Sequence, residues 1–120
     1  MSVHVQNTRM TTTKFRQMKA AGEKITMLTS YDYTLASLVD EAGVDSFLVG
    51  DSASNIVCGN MYTLPITVDE MIFLCKGVVR AAEHALVICD MPFGSYQVSE
   101  TEAVANAIRM LKESGADAVK

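Results

Sequence analysis

"FLVGDSAS", residues 47–54, is an apolar run that stops at Gly50 and then presents an acid and a hydroxyl. The run is too short for a helix and reads as a strand buried in a parallel sheet. The same texture recurs in "KITMLT" (24–29), "DSFLVG" (45–50), "ALVICD" (85–90) and "DAVK" (117–120). Between these runs lie helical patterns with legible ends. "TVDE" (67–70) has the form of a capping box, and Met71, Ile72, Cys75, Val78 and Val79 follow at helical spacing. "SETE" (99–102) offers the same device before Val104, Ala107, Ile108 and Leu111, with Gly115 as the stop. A shorter helix fits residues 33–42, capped by Asp32 or Ser30 and ended by Gly43. A further helix near residues 13–21 precedes the first strand.

Strands alternating with helices imply right-handed crossovers and a parallel sheet, an α/β class. Four such strands make half of an eight-stranded barrel, and the fourth lacks a covering helix. The expectation is therefore a single unit over residues 1–120, the N-terminal half of a (β/α)8 TIM barrel. Residues 1–23 form an N-terminal helical segment in that scheme, and residues 24–120 hold the first four strand units. The loop over residues 51–65 is long for a compact domain, and such loops tend to carry function.

The composition narrows the choice. Of 120 residues, 49% are hydrophobic and 20% charged, which suits a globular chain. The net charge of −4 argues against a general nucleic-acid binder, which must neutralise phosphates. No apolar stretch approaches the ~20 residues that a membrane helix needs. The polar opening "MSVHVQNTRMTTTKF" lacks the apolar centre of a secretory signal. Three cysteines, Cys58, Cys75 and Cys89, fit reduced thiols in a cytosol, with Cys89 packing as a small hydrophobe. The two histidines, His4 and His84, build no metal cluster with them, and no glycine-rich nucleotide motif is present.

Two acids stand out because ligands of parallel α/β sheets bind beyond the carboxyl ends of the strands. Asp51 and Asp90 both follow such ends. Held together they repel, and a divalent cation keeps both ionised. Magnesium suits the place, since it takes one or two carboxylates and leaves positions for water and substrate oxygens. Each acid alone is equally well read as a cap or a turn-bonding side chain. Ser52 lacks a base, because His84 precedes its strand and belongs to the opposite rim. It reads instead as a hydrogen-bond donor to an anion or as a turn residue. Lys120 shares the rim and could pair with a carboxylate or oxyanion, or be an ordinary surface lysine. Tyr31, just past the first strand, fits the same rim or plain aromatic packing.

The runs "KITMLTSYDY" (24–33), "LVGDS" (48–52), "TLPIT" (63–67), "DMPFGSY" (90–96) and "GADAVK" (115–120), in this order, closely resemble the ketopantoate hydroxymethyltransferase family. The likeness covers most of the chain from about residue 13. It implies a (β/α)8 barrel, magnesium dependence, a cytoplasmic setting and a homo-oligomer, typically a decamer. It implies transfer of a hydroxymethyl group from 5,10-methylenetetrahydrofolate to 3-methyl-2-oxobutanoate, through a magnesium-stabilised enolate, in pantothenate biosynthesis. By the same resemblance Asp51 and Asp90 are magnesium ligands, and Asp51, Ser52, Asp90, Lys120 and Tyr31 contact the ketoacid. The catalytic glutamate that serves the family as general base, and a further acid, are expected beyond Lys120. The family usually has Leu-Gly after the Asp-Ser pair, where this chain has Ala53 and Ser54. Two other readings compete: a magnesium-dependent α-ketoacid enzyme of the phosphoenolpyruvate mutase and isocitrate lyase type, and an inactive truncated chain.

Overall fold

The computed structural model describes residues 9–120, so His4 and the rest of the polar opening lie outside the described residues. Helix α1 (Thr12–Ala20) starts at Thr11, whose side chain accepts the amide of Lys14. Strand β1 (Met27–Thr29) and helix α2 (Tyr33–Glu41) follow, and Asp32 is the residue that caps α2 by accepting the Leu35 amide. Strand β2 (Ser46–Val49) leads into a short helix α3 (Ala53–Ile56). Helix α4 (Val68–Ala81) has the reciprocal Thr67–Glu70 capping box that its sequence offers. Strand β3 (Leu86–Cys89), helix α5 (Glu100–Ser114) and strand β4 (Ala118–Val119) complete the chain. Ser99 caps α5, and Gly115 ends it in the left-handed region at φ 81°, where a side chain would be strained.

The four strands are all parallel and lie in the order β1-β2-β3-β4. Chain order and spatial order coincide, the arrangement a barrel requires. Phe47 and Val49 of β2 and Val87 and Cys89 of β3 are fully buried, packed with Met71, Cys75 and Val78 of α4. Removing one of the large members, as in Phe47→Ala, costs about 3–5 kcal/mol by the general behaviour of core cavities. Alternation places Leu48 and Ile88 on the other face of the sheet, where both are half-buried.

Two expectations need correction. Only β2 and β3 are buried strands; β1 is exposed along its length and β4 is half-buried. Each of the latter has one neighbour in the sheet, so apolar texture marked them as strands without fixing their cover. The long loop is also partly helical, since α3 lies within it. Buried Ser54 closes the remainder. It donates to the Tyr62 carbonyl at 2.7 Å and accepts from Asn60 Nδ2 at 3.1 Å. The Ala53-Ser54 pair thus acts on loop packing, with both side chains buried.

The two sheet ends differ. At the amino ends, Arg9 bonds both carboxylate oxygens of Asp117 at 3.0 and 3.2 Å, and the Met10 amide donates to His84 at 2.7 Å. His84 accordingly lies at the end opposite Asp51 and Asp90, as its position before the strand implies. No helix among the described residues is long and apolar enough to cross a membrane.

Candidate active site at the carboxyl ends of the strands

Strand register builds the site. Val49 pairs with Cys89 and Cys89 with Val119, so the next residues along, Gly50, Asp90 and Lys120, come side by side. Asp90 is nearly buried, at 6% exposure. Its amide bonds the Val49 carbonyl, and its side chain binds in both directions across the sheet. Oδ2 accepts the Asp51 amide at 3.1 Å, and Oδ1 accepts Lys120 Nζ at 3.0 Å. Lys120 is aligned by its own backbone, whose amide donates to Cys89 and whose carbonyl accepts from Met91. The hydrogen bond and charge of Asp90 hold the Lys120 ammonium above the ordinary lysine pKa, and Asp51 and Tyr96 add to the effect. Tyr96, from the "DMPFGSY" run, was not singled out in the sequence as a site residue, although its motif was.

Gly50 answers why the strand ends on glycine. It is not among the glycines with positive φ, so the left-handed turn is not the reason. A Cβ built on it would lie 2.9 Å from Ser52 Oγ and 3.6 Å from Asp90 Oδ2. The missing side chain leaves the space that the serine hydroxyl and the aspartate carboxylate occupy. Ser52 stands at the N-cap of α3 but makes no capping bond, so it does not serve as a turn-stabilising cap. Its hydroxyl is 2.6 Å from the Tyr31 hydroxyl, which brings Tyr31 to the rim. Asp51 is half-buried, and its carboxylate accepts no hydrogen bond from the described residues.

All five residues named from the sequence therefore gather at one end of the sheet. Among the described residues, no three His, Cys, Asp or Glu side chains form a ready metal shell. A hard cation of the magnesium type does not require one, because water and substrate oxygens complete its octahedron. The donors fit that ion. A carboxylate offers about four lone-pair sites, and Asp90 commits its oxygens to one amide and one ammonium, while those of Asp51 stay open.

A sequence profile of the ketopantoate hydroxymethyltransferase family matches residues 9–120. The chain belongs to this family. Relatives named 3-methyl-2-oxobutanoate hydroxymethyltransferase include one from Bacteroides fragilis, 60% identical over 112 residues, and one from Flavobacterium johnsoniae, also 60% identical. A third, from Bacteroides thetaiotaomicron, is 59% identical. Each alignment takes in 93% of this chain but only 41% of the relative, so the chain spans less than half the length of these hydroxymethyltransferases.

The fold agrees with solved barrel enzymes. A phosphoenolpyruvate phosphomutase from Streptomyces platensis subsp. rosaceus superposes with a TM-score of 0.65, at 16% identity, over 91% of this chain and 37% of that one. A 2,3-dimethylmalate lyase, a member of the phosphoenolpyruvate mutase and isocitrate lyase superfamily, gives 0.65 at 16% identity over 89% of this chain and 37% of its own. At such identity the likeness is one of fold alone. The close sequence relatives are hydroxymethyltransferases, so the mutase and lyase reading is not favoured.

Proposed function

We propose that this chain is the N-terminal half of a (β/α)8 barrel enzyme that transfers a hydroxymethyl group from 5,10-methylenetetrahydrofolate to 3-methyl-2-oxobutanoate, giving ketopantoate. The reading includes a cytoplasmic homo-oligomer, an expectation drawn from the family resemblance. The observation that carries the site assignment is the triad across the strand ends: Asp90 bound to Lys120 on one side and to the Asp51 backbone on the other, with the Asp51 carboxylate open.

In this reading Asp51 and Asp90 hold magnesium. Bound there, the ion withdraws electron density from the ketone of a chelated α-ketoacid and so acidifies the neighbouring C–H. The chain's own residues bind and orient the substrate. Ser52 donates its hydroxyl proton to a ketoacid oxygen. Lys120 supplies a fixed positive charge beside the negative charge that develops as the C–H proton leaves. Asp90 keeps that ammonium aimed at the rim. Proton abstraction is assigned to a carboxylate outside residues 1–120, so this segment binds and orients but lacks the base.

The test is an assay of the full-length protein with both substrates and magnesium. Formation of ketopantoate, lost when magnesium is chelated, is expected. Binding of 3-methyl-2-oxobutanoate with no transfer under any metal condition would overturn the reading. Residues 1–120 alone are expected to give no turnover.

A further inference from the structure

We propose that Tyr31 is a positioning residue that acts through Ser52, and that Gly50 supplies the room in which the two meet. The inference rests on the proposed function for the identity of the ligand and assigns roles that differ from direct contact of Tyr31 with substrate.

Two observations converge on one hydroxyl. Ser52 precedes α3 with helical backbone angles, φ −57° and ψ −12°, and its side chain makes no capping bond, so the hydroxyl has no duty to that helix. The oxygen instead lies 2.6 Å from the Tyr31 hydroxyl, a short contact between groups from β1 and β2 loop ends. The same oxygen fills the volume that any side chain at residue 50 would take, at 2.9 Å from an ideal Cβ. A serine hydroxyl carries one proton and two lone pairs. The phenol is the more acidic of the two hydroxyls and is the natural donor between them. Tyr31 then occupies a lone pair of Ser52 and leaves the serine proton pointing to the rim, toward an acceptor on an anionic ligand. Donation by a neighbour also polarises the serine O–H, which strengthens its onward bond.

This arrangement makes a sharp prediction for coupling. In the full-length protein with magnesium, Tyr31→Phe is expected to weaken binding of 3-methyl-2-oxobutanoate roughly 5- to 10-fold, the ordinary worth of one hydrogen bond. Its effect on KM should exceed its effect on kcat. Ser52→Ala should lose at least as much, and Tyr31→Phe added to Ser52→Ala should change nothing further. Gly50→Ala should reproduce the Ser52 defect by displacing the hydroxyl. A crystal structure of Tyr31→Phe should show Ser52 Oγ in a different rotamer. Effects of Tyr31→Phe and Ser52→Ala that simply multiply would overturn the proposal, because Tyr31 would then touch the ligand itself. So would an unmoved Ser52 rotamer together with unchanged affinity. If the wild-type protein fails to bind the ketoacid, the functional reading falls, and the Ser52 rotamer in the variant structure still decides the positioning claim.

Discussion

Aspartates stand at both ends of this sheet, and although Asp32 caps α2 at the carboxyl ends, Asp51 and Asp90 there are used differently from those at the amino ends. At the amino ends, Asp40 accepts the amides of Glu83, His84 and Ala85 at 2.8 to 3.1 Å. Asp45 accepts the amide and hydroxyl of Thr26, and Asp117 accepts the Val87 amide together with Arg9. These carboxylates are engaged by backbone amides and neighbouring side chains and tie the loops between strands and helices together. At the carboxyl ends, Asp90 spends one oxygen on an amide and the other on the exposed lysine head, and Asp51 spends none on the described residues. Acid type alone is therefore no sign of function. What distinguishes the upper end is bonding capacity left over after the backbone has been served.

The contrast is testable, and the largest effect should fall at the structural end. Replacing the buried Asp40 by alanine strands three amides and should cost roughly 3 kcal/mol of stability, read as a lowered denaturation midpoint of the full-length protein. Ligand affinity in the surviving folded fraction should be unchanged. Asp90→Asn should do the reverse: it keeps an acceptor for the Asp51 amide, yet should weaken magnesium and ketoacid binding together by about 10- to 100-fold, the worth of a charge-assisted contact. Titration calorimetry separates these outcomes. An Asp40 variant with impaired binding and full stability would dissolve the distinction between the two ends.

A smaller effect concerns pH. Lys120 is raised above its ordinary pKa in the fold, chiefly by its hydrogen bond to Asp90. A raised folded pKa means that the ion pair contributes fully below the unfolded lysine value and fades as pH climbs through the folded value. The contribution should therefore be constant across neutral pH and disappear only in the alkaline range. Because the Lys120 side chain is 66% exposed, solvent screening keeps the stability change slight. An NMR titration of the lysine Nζ in wild type and Asp90→Asn should show the higher pKa only when Asp90 is charged. Equal values in the two proteins would remove Asp90 as the cause.

Much of this was legible before any coordinates. Caps at Asp32, Thr67 and Ser99, stops at Gly115 and the short apolar runs fixed the order of elements, because each depends on local chemistry. The upper site was legible too, since a strand's carboxyl end can be read from where its apolar run stops. Other features needed distance. Helix α3 was missed because it is one turn long and held by Ser54 reaching the Tyr62 carbonyl, a closure with no period to detect. The exposure of β1 depends on which strands flank it, a property of the sheet and not of the run "MLT". Gly50 lacks a positive φ and makes space for Ser52, a role that only the distance between them reveals. The contact between Tyr31 and Ser52 joins two loops that only strand pairing brings together.

The most direct test is calorimetry on Asp51→Asn in the full-length protein, because Asp51 alone among these acids has a carboxylate with no structural duty in the described residues. The account predicts loss of magnesium-supported binding of 3-methyl-2-oxobutanoate with the melting temperature essentially that of wild type. Undiminished binding of both metal and ketoacid by this variant would contradict it.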